Sequence, residues 1–284
     1  MTWHELYEFT KENLKKIKKA DFRTEAGIIF EHYFKMNRVS LLINGVETIE
    51  NGAYEKVKEI ISKREKNIPL QYILGSWEFM GLKFKVGEGV LIPREDTSVL
   101  VEESTKILSK KNSPYIADLC SGSGCVAILL DKKLNNSPKI YAVEISEKAF
   151  KYLNENIKDN RSGVLPINAD VFEIYKKFDD ESLDAVVSNP PYVKNSEIEG
   201  LEEEVKKEPI LALSGGEDGL DFYKKICKFW ISKLKRGGIM AFEIGAGQAE
   251  DVKKIMKMNG FDEIKSFKDI NEITRVLIGV KKQQ

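Results

Sequence analysis

The chain has 284 residues, of which 42% are hydrophobic and 32% are charged, as in a soluble globular protein with one large domain and a small one. Lysine plus arginine and aspartate plus glutamate each number 45, so the net charge is zero, which disfavours broad nucleic-acid binding through a basic surface. Three cysteines without a Cys-x-x-Cys pair argue against a disulfide framework and a zinc site, and no apolar run approaches the length of a membrane span. We therefore expect a reduced, cytoplasmic protein that binds no metal and no membrane.

Apolar residues recur at helical spacing through roughly the first 70 residues. Thr2 and Glu5 form a capping-box pattern before the first helix, and further helical runs cover residues 26–34, 40–43 and 54–66. Lysine and glutamate occupy the remaining faces, as on solvated helices. We predict that residues 1–75 form a helical bundle without catalytic residues.

A short strand-like segment follows the helical region. Residues 77–86 alternate apolar and polar side chains around Gly81, which is typical of a β-hairpin. We predict that residues 76–92 are the linker between two domains. Asp96 or Thr97 is placed to begin a helix that runs to about residue 110.

Strand-like and helical runs alternate from residue 115 onward. The last two strand-like runs have no helix between them, which indicates an antiparallel hairpin at one edge. The alternation predicts an α/β domain in residues 93–284, with a mostly parallel sheet covered by helices on both faces. Ligands bind beyond the carboxyl ends of such strands. We predict strands at 115–119, 140–145, 164–168, 183–187, 239–244, 264–267 and 274–280, and helices at 125–134, 147–158, 222–234 and 248–258.

A glycine-rich loop and two acids follow successive strands of the predicted sheet. Gly122 and Gly124 allow a tight turn and close backbone approach to a ligand. Glu144 ends the second strand, where an acid meets ribose hydroxyls, and Asp170 follows the third, where it can accept from an adenine amine. NAD and S-adenosylmethionine both fit this pattern. Asp118 favours S-adenosylmethionine, because a carboxylate there suits an ammonium group and repels a diphosphate.

The run Asn189-Pro190-Pro191-Tyr192 comes after the fourth strand, where a dinucleotide enzyme would continue with a second nucleotide-binding half. The Asn189 side chain and the Pro190 carbonyl offer two acceptors for the hydrogens of a planar NH₂ group, over which Tyr192 can stack. A sulfonium is already activated, so the main catalytic task is positioning. We predict a methyltransferase for planar nitrogen, with Asn189, Pro190 and Tyr192 as catalytic residues and all four residues as the substrate site.

These two motifs resemble those of the amino-nitrogen methyltransferases, and within them the HemK/PrmC family of peptide chain release factor glutamine methyltransferases. Further matches cover almost the whole chain. The resemblance implies a Rossmann-like, seven-stranded class I domain that uses S-adenosylmethionine and yields S-adenosylhomocysteine. It also implies a protein partner: the Gly-Gly-Gln loop of class 1 release factors, whose glutamine would be methylated on N5 and which the helical domain helps to recognise. The further matches lie in residues 69–75, 79–82, 92–94, 97, 208–209 and 215–223.

The resemblance also implies roles for single residues. Glu144 would meet the ribose, Asp170 and Val171 would lie beside adenine, and residues 189–192 would hold the glutamine. The chain departs from the family pattern at Cys120, Ser121, Glu95, Glu144 and Val171. The cofactor-binding residues that we expect are Arg94, Thr97, Asp118, Cys120, Ser121, Gly122, Ser123, Gly124, Glu144, Asp170, Val171 and Asn189.

Three alternatives remain open from the sequence. A ribosomal-protein glutamine methyltransferase would share the chemistry, and a nucleic-acid adenine-N6 methyltransferase would share the Asn-Pro-Pro-Tyr motif. A non-catalytic S-adenosylmethionine-binding protein would not need an intact Asn189 and Tyr192. The zero net charge disfavours the nucleic-acid enzyme. We expect a monomer without direct nucleic-acid binding.

Overall fold

A computed structural model of the chain describes residues 1–17 and 21–282, so residues 18–20 of the first predicted domain and 283–284 of the last lie outside the described residues. The chain divides into two compact units. Unit 1 comprises Met1–Gly75 and Glu203–Lys207, and unit 2 comprises Ser76–Glu202 and Glu208–Gln284. In the part of the chain that is described, no helix has the length and apolar character needed to cross a membrane.

Unit 1 is helical, as the sequence predicts. The capping box is formed: the Glu5 backbone N–H donates to Thr2 Oγ1 at 3.2 Å, and the Thr2 N–H donates to Glu5 Oε2 at 2.8 Å. Leu6, Phe30 and Ile60 are fully buried in its core. The sequence does not predict one short helix, which begins directly after Pro69. The helices are α1 (Trp3–Leu14), α2 (Phe22–Phe34), α3 (Arg38–Asn44), α4 (Ala53–Glu65) and α5 (Leu70–Leu74).

Arg64 is a buried cation within unit 1, with only 1% of its surface exposed. Its Nε and Nη2 atoms donate to the two carboxylate oxygens of Glu25 at 2.9 and 2.7 Å. Nη2 also donates to Glu204 Oε1 at 2.9 Å, and Nη1 donates to the Ile68 carbonyl at 2.8 Å. The guanidinium therefore makes four hydrogen bonds, of which three are to carboxylate oxygens.

Replacing Arg64 by alanine is expected to lower the free energy of unfolding by about 3–5 kcal/mol, because Glu25 would be left with an uncompensated charge. Urea denaturation measures this value. The matched control is Lys63→Ala, since Lys63 pairs with Glu59 on the exposed side of α4 and should change stability by less than about 1 kcal/mol. Equal effects of the two substitutions would show that the buried ion pairs do not stabilise the unit.

Unit 2 begins with the predicted hairpin. Strands β1 (Ser76–Phe79) and β2 (Leu82–Lys85) pair antiparallel, with Trp77 opposite Phe84. Gly81 turns the chain at φ +80°, a conformation that glycine adopts without strain. Helix α6 (Thr97–Leu108) follows, and it begins at the residue that the sequence indicates.

A seven-stranded sheet forms the body of unit 2 and confirms the predicted α/β fold. Its strand order is β5-β4-β3-β6-β7-β9-β8, with parallel pairing from β5 to β7. β9 pairs antiparallel with both β7 and β8. The strands are β3 (Tyr115–Leu119), β4 (Lys139–Glu144), β5 (Leu165–Asn168), β6 (Leu183–Ser188), β7 (Leu234–Glu243), β8 (Phe261–Lys268) and β9 (Thr274–Lys281). The helices between them are α7 (Cys125–Lys133), α8 (Glu147–Asp159), α9 (Val171–Ile174), α10 (Asp221–Trp230) and α11 (Ala249–Met258).

The two faces of the sheet carry separate layers of buried side chains. On one face, Leu100 of α6 and Ile128 of α7 pack with Phe84 of the hairpin. On the other, Trp230 of α10 and Met256 of α11 pack on the sheet. Parallel strands covered on both faces explain the nearly continuous apolar runs of the central strands.

β7 is longer than the sequence predicts, because it begins at Leu234 rather than at residue 239. α10 correspondingly ends at Trp230, before the predicted end at residue 234. Leu234 pairs with Leu183, and the register then shifts before the regular ladder begins. Gly237 within this stretch has φ +69°, so the start of the strand looks like a turn in the sequence.

The strand order reverses direction between β3 and β6. The chain passes outward from β3 to β4 and β5, and then returns to place β6 on the other side of β3. Leu119 pairs with Ser188, and the Ser188 hydroxyl donates to the Leu119 carbonyl at 2.7 Å. The loops that follow these two strands therefore lie side by side at the crevice where open α/β sheets bind ligands.

Candidate functional site

A cavity of about 270 Å³ lies at this crevice in unit 2. Residues from the segments after β3, β4, β5 and β6 line it, together with residues that precede α6. Gly124, Pro190 and Tyr192 are predicted site residues that do not line it. The predicted residues that the structure brings together around the cavity are Arg94, Thr97, Asp118, Cys120, Ser121, Gly122, Ser123, Glu144, Asp170, Val171, Asn189 and Pro191.

The two glycines of the loop after β3 have different surroundings. Gly122 has φ +54°, and a Cβ built on it would meet open space, so its backbone is accessible to a ligand. Gly124 has φ +82°, and its Cβ would come within 2.4 Å of Leu153 Cδ1 in α8. Gly122 therefore leaves room for a close approach to its backbone, whereas Gly124 allows α8 to pack closely against the loop.

Glu144 holds the loop in place. Its Oε2 accepts from the Gly122 N–H and its Oε1 from the Ser146 N–H, both at 2.8 Å. Burial raises the pKa of Glu144, and these backbone donors oppose that rise. The carboxylate thus lines the cavity in a single orientation, with lone pairs left for hydroxyl groups of a ligand.

Asp118 is a buried acid without a full set of partners. It is 1% exposed, and its Oδ2 has no hydrogen-bond partner among the described residues. Burial raises the pKa of Asp118 to about 7, although hydrogen bonds from Ser121 and the Ala127 N–H oppose the rise. An unpaired buried carboxylate is costly, and a cationic group of a ligand in the cavity would relieve the cost.

The wall of the cavity that follows β5 combines an acidic side chain with apolar side chains. Asp170 caps α9 by accepting from the Phe172 N–H at 2.8 Å, and Val171 is buried beside it. The rings of Phe172 and Phe222 lie with their centroids 5.3 Å apart, and both residues line the cavity. Such a wall suits a flat aromatic ring that carries a donor at its edge.

These three regions fit S-adenosylmethionine. An unpaired acid, a fixed carboxylate and an apolar wall with an acid at its edge match, respectively, an ammonium, ribose hydroxyls and adenine. Among residues 1–17 and 21–282, no group of three or more histidine, cysteine, aspartate or glutamate side chains is arranged to hold a metal ion.

Asn189 follows β6 and lies half-buried at the cavity. Its Nδ2 donates to Thr97 Oγ1 at 3.3 Å. Tyr192 packs behind it: its carbonyl accepts from Gln248 Nε2 at 2.9 Å, and burial raises the pKa of its phenol to about 12. Tyr192 is therefore neutral at physiological pH. A Cβ on Gly215 would lie 2.7 Å from the Tyr192 Cα, so the chain can pass this closely only at a glycine.

Two buried acids of the site, Glu208 and Glu243, have no role that the sequence predicts. Glu208 is 3% exposed, accepts from the Ile92 N–H at 3.0 Å and pairs with the Arg94 guanidinium. Glu243 ends β7, is 2% exposed, and its Oε2 has no hydrogen-bond partner among the described residues. The sequence signal that could have indicated Glu243 is its position at the end of a parallel strand, at the edge where ligands bind. No periodicity or motif spacing in the sequence predicts a role for Glu208.

Comparisons with known proteins cover both units. The family described as PrmC N-terminal domain matches residues 5–75, and the family described as Methyltransferase small domain matches residues 96–208. A release factor glutamine methyltransferase of Thermodesulfovibrio yellowstonii is 41% identical over 261 residues, which is 89% of this chain and 91% of the relative. A release factor glutamine methyltransferase of Fusobacterium nucleatum is 39% identical over 280 residues, which is 98% of this chain and 78% of the relative.

Two solved structures share the fold at low identity. A methyltransferase from Pyrococcus furiosus superposes with a TM-score of 0.52 at 19% identity, covering 72% of this chain and 91% of that one. The hMettl16 catalytic domain in complex with a MAT2A 3'UTR hairpin superposes with a TM-score of 0.58 at 15% identity, covering 94% and 95%. These likenesses show a methyltransferase fold.

Proposed function

Because the chain belongs to the release factor glutamine methyltransferase family, we propose that it methylates the side-chain nitrogen of the glutamine in the Gly-Gly-Gln loop of class 1 release factors, using S-adenosylmethionine. The observation that carries the proposal is a single cavity, at the reversal of the strand order, that joins the unpaired Asp118 to Asn189. Asp118 suits the ammonium group of the methyl donor, and Asn189 suits a planar amide.

S-adenosylmethionine supplies, when bound, a methyl group on a positively charged sulfur. We assign its ammonium to Asp118, its ribose to Glu144 and its adenine to Asp170 and Val171. Support comes from the free Oδ2 of Asp118, from the fixed orientation of Glu144 and from the buried Val171 beside the cap of α9. The accessible backbone at Gly122 allows the ligand to lie against the loop.

On the acceptor side, the chain holds and orients the nitrogen. We assign the two hydrogens of the glutamine amide to Oδ1 of Asn189, which lines the cavity, and to the Pro190 carbonyl, although Pro190 itself does not line it. Tyr192 does not line the cavity either, and its neutral phenol stabilises the motif. An amide nitrogen is a poor nucleophile because its lone pair is delocalised. Two converging acceptors favour a geometry in which that lone pair faces the methyl group. The nitrogen loses one proton during or after the transfer and the donor leaves as neutral S-adenosylhomocysteine, so no strong base is needed in this arrangement.

We further propose that residues 1–75 help to recognise the release factor and that the protein acts as a monomer in the cytoplasm without binding nucleic acid directly. The match to the PrmC N-terminal domain supports the first point. The zero net charge supports the absence of direct nucleic-acid binding.

Labelled S-adenosylmethionine tests the proposed function directly. The protein is incubated separately with a release factor, with the same factor carrying a Gln-to-Ala change in its Gly-Gly-Gln loop, with ribosomal proteins and with DNA. We expect label in the unchanged release factor alone. Label in the Gln-to-Ala factor, or only in ribosomal proteins or DNA, would contradict the proposal.

A further inference from the structure

Glu243 lies behind Asn189 and does not line the cavity. The groups that face its carboxyl come from several elements: the Thr97 hydroxyl and Asp96 at the start of α6, the Asn189 amide after β6, and Arg275 of β9. The phenols of Tyr192 and Tyr223 lie close enough to sense its charge. Glu243 is thus connected to the acceptor side of the cavity only through other side chains.

An asparagine amide can present either of its ends. Its C=O and NH₂ groups have nearly the same shape, so packing alone does not select one. A carbonyl oxygen toward the cavity would accept a hydrogen from the substrate amide, whereas an NH₂ group there would repel it. The 3.3 Å contact of Asn189 Nδ2 with Thr97 Oγ1 corresponds to the first orientation.

The Thr97 hydroxyl does not settle the orientation alone, because it both donates and accepts. When Thr97 Oγ1 accepts from Asn189, its own hydrogen needs an acceptor. An ionised carboxylate accepts only, so Glu243 gives the chain of hydrogen bonds a single direction. We propose that Glu243 is a positioning residue that, through Thr97 and through its own contact with the Asn189 NH₂ group, holds the Asn189 amide with its carbonyl oxygen toward the acceptor nitrogen. This inference rests on the proposed function.

The surroundings of Glu243 bring its ionisation into the physiological range. Burial raises its pKa to about 7. Hydrogen bonding from Thr97 and Asn189 and the charge of Arg275 favour the ionised form, while Asp96 opposes it. Protonation would turn Glu243 into a donor toward Thr97, so the hydrogen bonds from Asn189 through Thr97 to Glu243 would no longer have a single direction. Methyl transfer should therefore increase as the pH rises through about 7.

The first test is the pH profile of methyl transfer to a release factor, from about pH 6 to about pH 9. We expect the wild-type kcat to rise with an apparent pKa near the value of Glu243. Glu243→Gln should lower kcat about 10- to 100-fold and flatten the profile, with a KM for S-adenosylmethionine within about twofold. Glu243→Asp should keep the pH dependence. If the kcat of Glu243→Gln still rose with pH, the inference would be contradicted. The rise would then be assigned to the titration of Asp118.

Thr97 supplies a second pair of variants in case Glu243→Gln folds poorly. Thr97→Val removes the hydroxyl and should lower kcat like Glu243→Gln, whereas Thr97→Ser keeps it and should stay within about threefold of wild type. The control is Glu250→Gln on the exposed side of α11, which should change neither kcat nor its pH profile. Equal rates for Thr97→Val and Thr97→Ser would contradict the role of the hydroxyl.

A spectroscopic readout separates this inference from the proposed function, because it needs no release factor. The side-chain ¹⁵NH₂ signals of Asn189, assigned by their loss in Asn189→Asp, should shift with pH around the pKa of Glu243 in the wild-type protein and stay constant in Glu243→Gln. Constant signals in both proteins would overturn the inference. Failure of the wild-type protein to label a release factor would instead overturn the proposed function, whatever the signals show.

Discussion

Replacing Asn189 by alanine is expected to lower the rate of methyl transfer about 10³-fold, as removal of a preorganised polar group from an active site does. The variant loses the acceptor that orients the substrate nitrogen. The Asp118 and Glu144 carboxylates remain, so the dissociation constant for S-adenosylmethionine should stay within about threefold of wild type. Single-turnover transfer of labelled methyl groups and calorimetric titration of the cofactor measure the two quantities.

The matched control for this experiment is Asn154→Ala on the exposed side of α8, where Nδ2 donates only to the Phe150 carbonyl. We expect its transfer rate to equal that of wild type. If Asn189→Ala also transferred methyl groups at nearly the wild-type rate, the role assigned to Asn189 would be wrong. A large loss of cofactor affinity in the same variant would place Asn189 on the donor side instead.

Asp118→Asn is expected to weaken cofactor binding and to stabilise the free protein. A hydrogen bond to a charged group is worth about 1.5–3 kcal/mol, so the dissociation constant for S-adenosylmethionine should rise roughly 10- to 100-fold. The free protein loses a buried carboxylate with an unpartnered oxygen. The rise of the Asp118 pKa from 3.8 to about 7 corresponds to a destabilisation of up to roughly 4 kcal/mol.

The stability gained by Asp118→Asn should depend on pH in a defined direction. Below about pH 4 the Asp118 carboxyl is protonated in both the folded and the unfolded protein and costs nothing. Between about pH 4 and the folded-state pKa of about 7, only the unfolded state ionises, so stability is lost as the pH rises. Urea unfolding should therefore show a larger gain for Asp118→Asn at about pH 8 than at about pH 5.

Asp262→Asn serves as the control, because Asp262 is an exposed acid on β8 that pairs with Lys282. Its substitution should leave both stability and cofactor affinity nearly unchanged. A stability gain in Asp118→Asn that did not depend on pH would contradict the buried charge as its cause. Unchanged cofactor affinity would remove Asp118 from the binding site.

Much of the candidate site is visible in the sequence because single residues follow single strands. Gly122, Glu144, Asp170 and Asn189 each come at the end of an apolar run, and parallel strands bring such ends to one edge. This rule needs the strand ends alone and not their order in the sheet. The cavity that they share agrees with that expectation.

The remaining features depend on contacts between residues far apart in the chain. Arg94 and Glu208 are 114 positions apart, and no periodicity relates them. The different roles of Gly122 and Gly124 come from Leu153, which only the packing of α8 brings near. Glu243 looks like the polar end of a strand until the fold places it behind Asn189. Local patterns cannot encode these relations, because the side chains meet only in the tertiary structure.

The pairing of β3 with β6 has a consequence for the folding of the protein. These strands touch at Leu119 and Ser188, which are 69 positions apart, so a long loop must close before the crevice exists. Contacts of this range form slowly and late. A chain with only its local helices and hairpin formed would have no place for the methyl donor. We therefore expect S-adenosylmethionine to bind only the folded protein, so that it slows unfolding and leaves the rate of folding largely unchanged.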